Sequence, residues 1–200
     1  MKRQLSLKEY RAIDLGLFAA MLALFEFLIV RFTTVSLYTV SLAAVITAIV
    51  YMRWGWWGAI HAVLAGVLFC FYYSGVAPPG EQPRLEQYII YPVGNLLSLL
   101  AVVWLKRMGE ERVRQKVSLS LLFSLMVILL MQGGRAAVAL TLGVATTPET
   151  ALGYFTADAL SILFTLVVTW IVRRLDGVFE EQRHYLTRIQ EEQERNNAEQ

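Results

Sequence analysis

The stretch Leu129-Leu-Met-Gln-Gly-Gly-Arg-Ala-Ala-Val138 lies within an apolar run that reads as one membrane-spanning helix from about Val117 to Leu142. Arg135 is the anomaly in it. A guanidinium facing hydrocarbon costs at least a few kcal/mol, so an intramembrane arginine faces a bundle interior, a water-filled cavity or an exit to the interface. The rest of the chain supports a membrane setting. Of its 200 residues 56% are apolar and 17% charged, which excludes an ordinary soluble domain. A net charge of +2, with basic residues beside apolar runs instead of in a patch, gives no reason to expect nucleic-acid binding. One cysteine, Cys70, inside an apolar run, excludes a disulfide or cysteine–metal framework within the chain. The basic start Met-Lys-Arg-Gln-Leu-Ser leads into an apolar run that ends in no small-residue cleavage site, so no removable signal is expected.

A span needs about 20 apolar residues. Six candidates meet or approach this, at about 11–31, 34–52, 55–75, 88–105, 117–142 and 152–172. The expected fold is an all-α membrane protein, six transmembrane helices in a compact bundle with short links and antiparallel neighbours. Basic flanks set the orientation. Lys2, Arg3, Lys8, Arg11, Arg53, Lys106, Arg107, Arg112, Arg114, Lys116, Arg173 and Arg174 fall on one side, Arg31 and Arg84 on the other. Both termini are therefore expected in the cytoplasm of a multi-pass protein of the cell membrane. The proline-rich segment between Gly75 and Gln87 should form an extended outer cap. Residues 1–174 form the expected membrane domain. Residues 175–200 form a cytoplasmic tail, in which Leu175, Phe179, Gln182, Leu186, Ile189 and Gln193 trace a short amphipathic helix among glutamates.

Two runs carry stripes of small residues: Ala12, Gly16, Ala19, Ala20 and Ala23 in the first, Gly58, Ala62 and Gly66 in the third. Such stripes allow close helix approach, either inside the bundle or against another membrane protein. Polar residues in the spans can be placed by depth at about 1.5 Å per residue. Arg135 lies roughly 27 Å from the cytoplasmic start of its span and Glu26 about 22 Å up the first. Asn95 and Asp158 lie about 10 Å and 9 Å down from the outer side of theirs. Four helices thus bring a polar group to one level, with Tyr91, Gln132 and Tyr154 nearby. This suits an outward pocket with a polar floor and aromatic walls. Pairing of Arg135 with Asp158 or Glu26 for burial alone is the competing explanation. Gly133 and Gly134 either thin the wall beside Arg135 or break the helix, and Pro92 and Gly94 are placed to kink the fourth span. His61, near the cytoplasmic start of the third span, has no partner at ligand spacing, so no metal site and no cofactor is expected.

No hydrolase, metalloprotease or phosphate-loop motif is present, which argues against an enzyme. Neither an ATPase motif nor an internal repeat supports independent active transport.

Ala19-Ala-Met-Leu-Ala23, a small-residue motif in the first span, and the short link Arg53-Trp-Gly-Trp-Trp-Gly58 sit within this six-span layout. In these features the chain resembles the substrate-binding S component of an energy-coupling factor (ECF) type vitamin transporter. The resemblance implies an outward pocket for a vitamin or related micronutrient. It also implies docking onto a transmembrane coupling subunit driven by two cytoplasmic ATPases. Carried over by position, Ala19 and Ala23, with Gly16 in the same stripe, would be docking residues. Arg135, Asp158, Asn95, Glu26, Tyr91, Gln132 and Tyr154 are the pocket candidates on the depth argument. A cell-shape scaffold of the MreD type and a sensor relaying through the tail helix are the alternatives.

Overall fold

The computed structural model describes residues 6–33, 40–77, 80 and 82–175, together with Val178, Phe179, Gln182, Thr187 and Arg195. The described residues are helical throughout their ordered elements. The helices are α1 (Leu7–Thr33), α2 (Ala43–Trp54), α3 (Gly58–Ser74), α4 (Gln87–Asn95), α5 (Leu99–Met108), α6 (Glu110–Gln115), α7 (Val117–Thr141), α8 (Pro148–Ala157) and α9 (Ala159–Val172). Short 3-10 turns join α2 to α3 at Gly55–Trp57 and α4 to α5 at Leu96–Ser98. Among them, Leu7–Phe32, Ala43–Ser74, Gln87–Met108 and Val117–Thr141 are long and apolar enough to cross a membrane. The bent pair α8–α9 makes a fifth stretch if taken as one span.

The Ala43–Ser74 stretch is folded back on itself. Ser41, just before α2, bonds to Glu26 of α1, whereas Arg53 at the end of α2 bonds to Asp14. α2 therefore runs against α1. Along α3 the order is the opposite: His61 reaches the Leu15 carbonyl and Tyr72 packs edge-on against Phe27. The reversal falls at Gly55, whose φ of 59° is left-handed. A Cβ on Gly58 would come within 2.3 Å of the Tyr51 ring across the turn.

α7 crosses the middle of the bundle against α2, α4, α8 and α9. Two helix crossings position the site. At Gly66, an added Cβ would lie 2.5 Å from the Pro92 nitrogen, so α3 meets α4 backbone to backbone. At Gly94, it would lie 2.4 Å from the backbone nitrogen of Arg135, and at Gly134 it would lie 1.9 Å from the Gly94 carbonyl oxygen. The small residues of α3 are thus consumed inside the bundle. Those of α1 are treated differently: Ala12, Gly16 and Ala20 are exposed, and nothing lies within 4 Å of a Cβ built on Gly16.

Several sequence expectations need correction. The last span begins at Pro148, not near 152, and it is broken at Asp158 by a bend of 41°. Its early start follows from a capping box, in which Thr147 Oγ1 accepts from Thr150 N and Thr150 Oγ1 accepts from Thr147 N, with Pro148 in the first turn. The fourth span tightens into a 3-10 turn after Asn95, near the expected kink. The short link between α5 and α7 holds α6. α2 begins only at Ala43, and residues 34–39 of the expected second span lie outside the described residues. Most of the expected tail helix and part of the proline-rich cap also lie outside them. Of the tail positions described, Phe179 and Gln182 are buried, and Phe179 joins the main core.

Candidate functional site

Close contact between α4 and α7 sets the geometry at Arg135. Gly94 and Gly134 bring the two backbones together, and their neighbours Asn95 and Arg135 meet at once: Arg135 Nε donates to Asn95 Oδ1 at 2.8 Å. Asn95 is fixed from behind, its Nδ2 donating to the Ala62 carbonyl of α3 at 2.8 Å. Arg135 Nη1 donates to Asp158 Oδ2 at 2.7 Å across the break between α8 and α9. Asp158 stands at the junction of these two helices, yet its side chain caps neither of them. The guanidinium carbon lies 4.6 Å from the centre of the Tyr91 ring, a cation–π contact. Among the described residues Nη2 of Arg135 has no hydrogen-bond partner.

Asp158 borders two hollows, and Arg135 borders the inner of them. The outer one, about 240 Å³, is open and lined by Gln87, Tyr91, Ala145, Thr150, Gly153, Tyr154, Ala157 and Asp158. Tyr91 packs edge-on to Tyr154 at 6.2 Å and stacks on Phe69 at 5.0 Å, giving an aromatic wall above the guanidinium. The inner one, about 10 Å³, has room for roughly one water. Ser41, Gln132, Arg135, Asp158 and Ser161 border it. Gln132 is fully buried there, and neither atom of its amide has a protein partner among the described residues.

Of the seven pocket candidates, Arg135, Asn95, Asp158 and Tyr91 are in direct contact. Tyr154 completes the outer wall and Gln132 faces the inner void. Glu26 stands apart from the guanidinium. Its Oε1 accepts from Ser41 Oγ at 2.7 Å and from the Leu42 backbone N–H at 3.1 Å, satisfying donors at the start of α2. Ser41 in turn receives no less attention from α9, since its N–H donates to Ser161 Oγ at 3.0 Å. Depth counting did not single out Gln87, Thr150, Ser41 or Ser161. The Thr147–Thr150 capping box was a usable signal for Thr150, and the three-residue spacing from Asp158 was one for Ser161.

Gly133 and Gly134 have distinct roles. α7 is unbroken through both, so they do not interrupt the helix. Gly134 permits the crossing, whereas a Cβ on Gly133 would make an ordinary contact of 3.8 Å with Phe155. Among the described residues no group of His, Cys, Asp or Glu is arranged to hold a metal ion.

No family model, no curated protein and no solved structure matches the chain.

Proposed function

We propose that this chain is the membrane-embedded substrate-capture subunit of an ECF-type importer, crossing the cell membrane six times with both termini in the cytoplasm. It binds a vitamin-like micronutrient in the outer cavity. It then docks through α1 onto a transmembrane coupling subunit powered by two ATPases. The observation that carries the reading is Asp158, which lines an open cavity with Tyr91 and Tyr154 and is held from behind by the Arg135 guanidinium, itself fixed by Asn95 and Tyr91. A pair buried for its own sake gains nothing from an adjoining cavity lined by tyrosines.

The floor also narrows the ligand chemistry. Arg135 and Asp158 neutralise each other, so a bare anion would have to compete with the aspartate. A ring carrying both carbonyl and N–H groups fits better, an N–H donating to Asp158 and a carbonyl accepting from the polar side chains of Gln87 or Thr150, with its faces against Tyr91 and Tyr154. The cavity is slightly smaller than the usual range for ligand sites, which favours a one- or two-ring molecule.

The test is native mass spectrometry of the full chain purified from its own cells in mild detergent. A small aromatic molecule retained by the protein, with ATPase subunits co-purifying, is the expected result. Recovery of cell-wall synthesis proteins, or of a kinase or cyclase, with no small molecule would replace this reading with a scaffold or a sensor.

A further inference from the structure

The end of the bundle opposite Arg135 holds a second cavity of about 170 Å³. Arg11 of α1, Arg53 at the end of α2, Trp56 and Trp57 of the connecting turn, Lys106 of α5 and Glu110 of α6 contribute to its wall. Its charges do not cancel internally. Arg53 is neutralised by Asp14, which takes Nε at 2.9 Å and Nη2 at 2.8 Å. Glu110 is engaged by Arg114 at 3.1 Å. Arg11 and Lys106 have no carboxylate partner among the described residues. Each instead lies over an indole: the Arg11 guanidinium carbon is 4.3 Å from the Trp57 ring and Lys106 Nζ is 5.3 Å from the Trp56 ring.

We propose that this cavity binds the phosphate of an anionic phospholipid headgroup between Arg11 and Lys106. Two cations in one wall, each placed over an indole and neither paired with a carboxylate among the described residues, suit one phosphate, with the arginine fork supplying paired donors and the Glu110 carboxylate of the same wall engaged by Arg114. Its level in the fold points to lipid. The cavity lies where α1 begins, α2 turns into α3 and α5 ends, at one margin of the Leu7–Phe32 and Gln87–Met108 stretches and at the fold-back of Ala43–Ser74. Trp56 and Trp57 are about half exposed there, as interfacial indoles are. Exposed apolar side chains continue along the helices from both cations: Ile13 and Leu17 beyond Arg11, Val103 and Leu100 beyond Lys106. Acyl chains could lie along these while the headgroup occupies the basic pocket. This site is independent of the outer cavity and of its ligand.

The full chain in detergent would be titrated with phosphatidylglycerol, phosphatidylcholine and inorganic phosphate, with occupancy read by native mass spectrometry. Phosphatidylglycerol should bind in preference to phosphatidylcholine. Arg11→Gln or Lys106→Gln should each weaken it about fivefold, and the double variant about thirtyfold. Arg31→Gln, an exposed cation at the other end of α1, should leave binding unchanged, and the charge-conserving pair Arg11→Lys with Lys106→Arg should retain it. Displacement of the lipid by millimolar phosphate would assign the site to free phosphate. Equal binding of the two lipids, or wild-type affinity in the double glutamine variant, would overturn the proposal.

Discussion

Arg135 has a structural role as the partner of Asp158 and, under the proposed function, a binding role, and a single substitution would confuse the two. Its removal takes the guanidinium from Asp158 at a site where that carboxylate is largely enclosed. Breaking such a pair from one side costs about 3–5 kcal/mol, whereas removing both charges together is often nearly neutral. Arg135→Ala should therefore lower the thermal unfolding temperature in detergent markedly. Arg135→Gln combined with Asp158→Asn should recover most of that stability while still losing the bound small molecule. A double variant that is both stable and fully loaded would show that the pair serves burial alone. Residue depth was legible because the rise of a helix is fixed, so counting along three different spans placed Asn95, Arg135 and Asp158 at one level. The role of Glu26 was not. Its partners Ser41 and Leu42 lie in the irregular segment before α2, where no periodicity says which side chain faces which.

Among the elements, the α4–α7 crossing decides whether the site exists. Gly134→Ala would force a methyl group against the Gly94 carbonyl and push the two backbones apart. Overpacking of this kind costs about 1–3 kcal/mol, and here it would also stretch the 2.8 Å bond between Arg135 and Asn95. Gly133→Ala, one residue away, meets only the end of the Phe155 ring and should change stability by less than about 0.5 kcal/mol. Paired thermal melts and ligand retention would check this, and equal effects of the two alanines would contradict the crossing. α7 itself was readable end to end, because an uninterrupted apolar run of that length has few other fates. The break at Asp158 was not readable. No glycine or proline marks it, and the bend comes with a tertiary bond to Arg135 that local sequence does not encode. The reversal at Gly55 lay between: the basic, aromatic link was visible in Arg53-Trp-Gly-Trp-Trp-Gly58, but the shortness of α2 was not.

For the whole molecule, exposed apolar side chains stand on most of the helices, and α1 differs in setting small residues among them. The tail returns to the core through Phe179, which packs in the main hydrophobic cluster beside the Asp14–Arg53 pair, with the neighbouring Val178 carbonyl accepting from Arg53 Nη1. Phe179→Ala should then destabilise the bundle by about 3–5 kcal/mol, seen as a lower melting temperature with ligand still bound in the folded fraction. α1 is the contrasting case. Gly16 and Ala20 lie on an exposed face with Ile13, Leu17, Met21 and Leu24, while Ala19 and Ala23 are half-buried. Large side chains at Ala19 or Ala23 would disturb this bundle as well as any partner, so Gly16 and Ala20 offer the cleaner test of docking. Nothing in the chain meets a Cβ at Gly16, so Gly16→Leu with Ala20→Leu should fold and bind its small molecule normally. In proteoliposomes with the proposed coupling subunit and ATPases, the same variant should lose at least about tenfold in uptake, because small residues in membrane interfaces work by letting backbones approach. Uptake at the wild-type rate would assign this face of α1 to lipid, and the docking role of the stripe would fall with it.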